Sequence, residues 1–182
     1  MDLNQFLEKS EALKGEAGEK FGSLSSGQLN YKPNSDVWSV GQIIEHLIIS
    51  NDLYLGNLSK VADGTHNDNG WSKIPFVTGL MGTMLRKGVS PESARKLKTF
   101  GIFEPSASDI ADSVIEDFID NQDRLISTIK ALKPRDLAKR IATPVSKLLN
   151  IRVGDALEML LLHEERHFLQ ADGVMNSDGF PE

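Results

Sequence analysis

The sequence predicts an all-α protein, a four-helix bundle that forms one domain over residues 1–182. Three observations favour this fold class. Apolar residues recur every three or four positions in four long segments, which is the spacing of helices with one buried face. No segment shows a convincing alternation of apolar and polar residues, as a half-buried strand would. A chain of 182 residues is also long enough to bury a substantial core in a single domain.

The first predicted helix covers residues 2 to about 22. Gly15 and Gly18 weaken its helical propensity, but the apolar spacing continues past both of them. The residues that define the buried face are Leu3, Phe6, Leu7, Leu13, Ala17 and Phe21. Gly22 to Asn34 is rich in Ser, Gly and Asn and is interpreted as a connecting loop.

The second predicted helix begins after Ser39 and runs to about Lys60. Ser39 and Gln42 have the spacing of a capping box, in which each side chain binds the backbone N–H of the other residue. The helix is strongly apolar and contains one histidine, His46. This histidine lies toward one edge of the apolar face.

A long connection follows from Ala62 to Pro105, in which glycines and prolines recur. A connection of this length inside a compact domain is usually functional or mobile. We interpret it as a cap over one end of the bundle, with one short helix at Val77–Arg86. Trp71, Phe76 and Phe103 are candidate walls of a pocket beneath it.

The third predicted helix begins near Ser108 and ends before Pro134, with apolar residues at helical spacing throughout. Residues 135–150 are expected to be irregular, with a break at Thr143-Pro144. The fourth helix is predicted to run from Val153 to about Ala171. Gly173 would then provide its C-terminal stop.

Composition restricts the function. The formal net charge of −6 and the scattered basic residues argue against a nucleic-acid partner. The absence of cysteine excludes disulfides, thiolate metal ligands and cysteine nucleophiles. The N-terminal residues do not resemble a signal peptide, and no apolar run is long enough to span a membrane. We therefore expect a soluble, cytoplasmic protein without a membrane partner.

Three of the four histidines lie on the two most apolar helices. His163 and His167 are four residues apart, about 40° around a helix and one turn along it, so both imidazoles can bind one metal ion. His46 on helix 2 is the third candidate ligand. Three neutral imidazoles suit Zn²⁺ or Ni²⁺, with Fe²⁺ and Mn²⁺ as alternatives. A single buried histidine bonded to a carbonyl or carboxylate is the alternative interpretation, and His66 is expected to be an ordinary solvated residue.

The segment from His163 to His167 also matches H-E-x-x-H, the zinc peptidase signature in which the Glu is the general base. Its context does not favour a peptidase. The longer form of the signature has Gly and His three and six residues after the second His, where this sequence has Gln170 and Gly173. No sheet is predicted before the helix either. Glu164 lies about 100° around the helix from His163. It is a weak candidate for a catalytic base or a ligand-orienting residue, and a solvated or salt-bridged carboxylate is the simpler interpretation.

Two segments resemble the DinB/YfiT-like superfamily, whose members are four-helix bundles described as metal-dependent enzymes. Trp38 to Leu47 is similar to the family pattern W-S-x-x-x-x-x-x-H-L, and His163 to Gln170 is similar to H-x-x-x-H-x-x-Q. The order and spacing of the predicted helices also match over most of the chain. The resemblance implies that His46, His163 and His167 are the three metal ligands.

The resemblance further implies a hydrolase, or a transferase that joins a low-molecular-weight thiol to a small electrophile. Because the chain has no cysteine, such a thiol would come from a cosubstrate. The expected partners are thus a small-molecule substrate, a thiol cosubstrate in the transferase case, and a second copy in a homodimer. The alternative is a non-catalytic bundle that acts in metal binding or dimerisation.

Overall fold

The computed structural model describes residues 1–66, 99–107 and 109–182, and its described part is mostly helical. In chain order the α-helices are α1 (Leu3–Phe21), the short α2 (Ser26–Asn30), α3 (Val40–Ala62), α4 (Val114–Ala131) and α5 (Val153–Met175). The four long helices form the predicted bundle, so the fold class is confirmed. The predicted helix at Val77–Arg86 and the predicted pocket residues Trp71 and Phe76 lie outside the described residues.

The long helices are arranged so that α1 and α3 each pack against both α4 and α5. Consecutive long helices α1 and α3 are therefore diagonal in the bundle, and so are α4 and α5. Aromatic and aliphatic side chains from all four fill the interior, the largest fully buried ones being Phe6, Phe21, Phe118 and Phe168. Polar side chains that bridge α4 and α5 must consequently cross the middle of the bundle.

The start of α3 agrees with the sequence prediction. The Ser39 hydroxyl accepts a hydrogen bond from the Gln42 backbone N–H at 3.2 Å, and the Gln42 side-chain oxygen accepts one from the Ser39 N–H at 3.3 Å. These bonds satisfy backbone N–H groups that would otherwise be buried without a partner at the first turn. The capping box thus fixes where α3 begins, at Val40, six residues before His46.

Two predicted helix boundaries are wrong. The third long helix begins at Val114 and not near Ser108, because the Asn30 side chain binds both the N–H and the carbonyl of Ile110, at 2.7 and 3.0 Å. The last helix passes through Gly173 and ends at Met175. Burial of Val174 offsets the cost of about 1 kcal/mol that a glycine imposes on a helix.

The predicted loop between the first two long helices is also interrupted, since it contains α2. Ser25 caps this short helix through a second capping box with Gln28. Leu29 is buried and anchors α2 to the core.

The prediction of irregular structure over 135–150 is wrong as well. A 3₁₀ turn at Pro134–Ala138 leads into an antiparallel hairpin of β1 (Arg140–Thr143) and β2 (Ser146–Arg152). Ile141 pairs with Ile151, and both are fully buried. β1 has only four residues, and β2 contains the adjacent apolar residues Leu148 and Leu149, so neither strand shows a distinct alternation in the sequence. The expected break at Pro144 is the hairpin turn.

None of the described helices is both long and apolar enough to cross a membrane.

We predict that Gly41→Ala destabilises the protein by about 1–3 kcal/mol, measured by urea denaturation. A Cβ at Gly41 would lie 3.0 Å from the Ile110 Cβ and 3.1 Å from the Leu29 carbonyl oxygen, neither of which can move aside easily. Gly56→Ala on the same helix is the matched control, because a Cβ there meets nothing within 4 Å. That control should stabilise the protein by about 0.5–1 kcal/mol, and equal effects of the two substitutions would contradict the packing argument.

Candidate metal centre

The imidazoles of His46 from α3 and of His163 and His167 from α5 converge on one point. The His163 Nε2 atom lies 3.2 Å from His46 Nε2 and 3.1 Å from His167 Nε2. One ring nitrogen from each residue lies within 4.8 Å of the other two. The structure therefore brings together the three histidines that the sequence singled out.

This geometry fits a tetrahedral metal ion. A Zn–N bond of about 2.1 Å with tetrahedral angles places two ligand nitrogens about 3.4 Å apart. The two Nε2 separations at His163 are within a few tenths of an ångström of that value. Three imidazoles leave a fourth position for water or substrate, which is the arrangement of catalytic zinc sites.

The His46 ring is oriented by a backbone carbonyl. Its Nδ1 lies 2.6 Å from the carbonyl oxygen of Phe103. Because a carbonyl oxygen can only accept, Nδ1 carries the hydrogen and donates a hydrogen bond to that oxygen. The tautomer with Nδ1–H leaves a lone pair on Nε2, which faces the other two histidines. Phe103 was predicted as a pocket wall, and the structure shows a different contribution, through its backbone carbonyl.

The chain around Phe103 is attached to α3 close to His46. The Glu45 carboxylate accepts hydrogen bonds from the N–H and the hydroxyl of Ser106, at 2.6 and 3.0 Å. The Gln42 side chain donates to the Ser106 carbonyl at 2.7 Å. These three bonds hold the 99–107 segment against the helix, and they give Glu45 a structural partner next to the site.

Trp38 forms an aromatic wall beside the cluster. Its ring centroid lies 4.9 Å from that of His46 and 6.4 Å from that of His167, and it is nearly parallel to the His167 ring. A ring in this place excludes water from one side of the two imidazoles and restricts their rotation. The fourth histidine, His66, was expected to be solvated but is half-buried at the far end of α3, outside the cluster.

Burial lowers the pKa of all three clustered histidines. Desolvation is the largest cause for each, and it brings the pKa of His167 to about 3 and that of His163 well below its usual 6.5. The pKa of His46 is lowered too, although its bond to Phe103 opposes the shift. The imidazoles are therefore neutral at pH 7 and can donate their lone pairs to a metal.

The Glu164 side chain lies outside the cluster of three histidines. It is fully buried, and its Oε1 accepts hydrogen bonds from the amides of Asn51 on α3, at 2.8 Å, and Gln122 on α4, at 2.7 Å. Desolvation raises the pKa of Glu164 to about 7, against the two hydrogen bonds that lower it. Its carboxylate is not among the groups that converge with the three histidines in the described part of the chain.

Sequence reasoning missed the partners of Glu164, although a signal was present. Asn51 lies four residues from both Leu47 and Leu55, and Gln122 lies four residues after Phe118, so each stands on an apolar stripe. A polar residue on such a stripe needs a buried partner. The role of the Phe103 carbonyl could not be predicted in this way, because every residue has a backbone oxygen whatever its side chain.

The sequence matches the DinB superfamily over residues 19–171, which confirms the family resemblance. No curated protein matches the sequence. Among solved structures the fold is similar to YfiT from Bacillus subtilis, described as a probable metal-dependent hydrolase with an unusual four-helix bundle topology. The two structures have a TM-score of 0.56 and 13% identity over 98% of this chain and 89% of YfiT, a likeness that establishes the fold alone. Since the family match spans most of its length, the chain belongs to the DinB superfamily.

Proposed function

We propose that this protein is a metal-dependent enzyme that holds one divalent ion through His46, His163 and His167. The observation that carries the proposal is that the Nε2 atom of His163 lies at separations suited to a tetrahedral ion from the Nε2 atoms of both His46 and His167. Three imidazoles around one point, with His46 and His167 buried and His163 half-buried, would otherwise compete for hydrogen bonds, because the His163 Nε2 alone faces two other nitrogens. A shared ion satisfies all three.

We expect Zn²⁺ or Ni²⁺. Imidazole ligands suit both ions as well as Fe²⁺ and Mn²⁺, but the latter two usually prefer one or more carboxylates. Neither Glu164 nor Glu45 is arranged to supply one, since each already accepts two hydrogen bonds in the fold. The lack of cysteine excludes a mixed thiolate site.

When bound, a divalent ion would supply an acidified water or thiol as a nucleophile near pH 7 and would polarise a substrate oxygen. The protein residues would orient and shield this chemistry. Phe103 holds the His46 ring, and Trp38 keeps water from one side of the cluster. Nucleophile and substrate would therefore meet on a side of the ligand set that Trp38 does not cover.

We propose a small molecule as the substrate and hydrolysis as the first reaction to test. The description of YfiT as a probable metal-dependent hydrolase supports this choice. Transfer of a low-molecular-weight thiol to an electrophile is the second reaction to test, because a bound ion would acidify a thiol in the same way as it would acidify water. A peptidase is less well supported, since Glu164, the base of the H-E-x-x-H signature, is bonded inside the bundle.

A non-catalytic bundle is the candidate from another class. It would use the same fold for metal binding or for homodimer formation, and the buried histidines would then have a structural role. Metal binding and turnover of the His46→Ala variant distinguish the enzyme from the non-catalytic bundle. The homodimer and the cytoplasmic location remain predictions from the sequence.

Our first prediction here concerns metal binding. The wild-type protein should bind about one equivalent of Zn²⁺ or Ni²⁺ at micromolar concentration, measured by calorimetry on protein freed of metal by a chelator. His46→Ala should weaken binding by about 100-fold or more, because it removes one of three ligands.

His66→Ala is the matched control, since it removes the remaining histidine from the far end of α3 and should leave the affinity unchanged. Wild-type protein that contains no metal and takes up neither ion would contradict the proposal.

The second prediction concerns activity. Metal-free protein reloaded with Zn²⁺ or Ni²⁺ should hydrolyse an ester or amide, or conjugate a thiol to an electrophile, in a screen of these reactions. Removal of the metal or His46→Ala should lower turnover by at least about 100-fold, because the ion would activate the nucleophile in either reaction.

Turnover that is unchanged in His46→Ala, together with a lowered thermal stability of that variant, would instead support the non-catalytic bundle.

A further inference from the structure

The glutamate of the H-E-x-x-H segment is part of a buried polar network that the proposed function does not use. Glu164, Asn51, Asn121 and Gln122 are all fully buried. A polar group in the core costs about 1–3 kcal/mol unless it is hydrogen-bonded, so four of them in contact need a reason.

The network joins three helices. Glu164 of α5 accepts from Asn51 of α3 and from Gln122 of α4. Asn51 also donates to the Asn121 side chain at 2.8 Å, and Asn121 donates to Asp52 at 2.8 Å. Asp52 is exposed and forms an ion pair with Arg124 at 2.9 Å, so the hydrogen bonds continue to the surface.

The hydrogen bond between Glu164 and Gln122 joins two helices that are not neighbours in the bundle. It links α5 to α4, the helix diagonally opposite in the bundle, and thus crosses the interior. Apolar packing permits small rotations of a helix about its axis, whereas two short hydrogen bonds from different helices to one oxygen do not. Glu164 is adjacent to His163, so a rotation of α5 that breaks these bonds also displaces the His163 ring.

We propose that Glu164 is a positioning residue, whose bonds to Asn51 and Gln122 set the rotation of α5 and so bring His163 and His167 to His46. This inference rests on the proposed metal site. It assigns the H-E-x-x-H glutamate a role other than that of a general base.

The sharpest test is Gln122→Met, because α4 carries none of the three histidines. This variant removes one of the two donors to Glu164 and keeps a side chain of similar length. We expect Zn²⁺ affinity to fall by about 10-fold, the usual effect of losing a group that orients a metal ligand. The absorption spectrum of the Co²⁺-loaded protein should change, since it reports the geometry of the ligands.

Substitutions at 164 complete the test. Glu164→Gln keeps a side-chain oxygen that can accept both bonds, so it should retain wild-type Zn²⁺ affinity and the wild-type Co²⁺ spectrum. Glu164→Leu should reproduce or exceed the loss seen in Gln122→Met. Glu165→Leu makes the same change one residue later, at a half-buried position paired with Lys9, and should not alter metal binding. Circular dichroism and thermal melts establish that each variant is folded at the assay temperature.

The outcomes separate the two proposals. Wild-type affinity and spectrum in folded Gln122→Met would overturn the positioning role and leave the metal site standing. A Glu164→Gln variant that loses Zn²⁺ affinity although it is folded would also overturn the positioning role. A Glu164→Gln variant that keeps its metal but loses activity by about 10²-fold or more would mark Glu164 as a general base and contradict the role assigned to it here. Wild-type protein that binds neither Zn²⁺ nor Co²⁺ would contradict the proposed function, and the positioning role with it.

Discussion

The candidate metal centre depends on how α3 packs against α5. Among the polar contacts that cross this interface are one between His46 and His163 and one between Asn51 and Glu164. These two contacts differ in their position along the helices and around them, so together they determine both rotation and axial shift. The capping box at Ser39 fixes the start of α3 and therefore the height at which His46 meets its partners.

The bundle and the pair His163 and His167 could be predicted because both follow from helical periodicity, whereas His46 was assigned to the site from its place on an apolar helix and from the family resemblance. The spacing of His163 and His167 places them on one face whatever the rest of the chain does. Long apolar stripes likewise indicate helices without any knowledge of tertiary contacts. The start of α4 could not be predicted in the same way, because it depends on Asn30, which is distant in sequence and takes the backbone groups of Ile110.

Other features were hidden for different physical reasons. The hairpin after the 3₁₀ turn at Pro134–Ala138 has one strand of only four residues and a second whose apolar residues do not alternate, and it is stabilised by the buried pair Ile141 and Ile151. The Phe103 carbonyl orients His46 through a backbone atom that any residue type would provide. Glu164 was visible as part of a motif, but its direction into the core depends on amides from two other helices.

The central claim is that three imidazoles, and no carboxylate, hold the ion. X-ray absorption at the metal edge of the Zn²⁺-loaded protein tests it most directly. We predict three nitrogen ligands at about 2.0–2.1 Å with the outer-shell scattering of imidazole rings, and one further light atom from solvent. A site with fewer than three imidazoles, or with a carboxylate in place of one of them, would contradict the account.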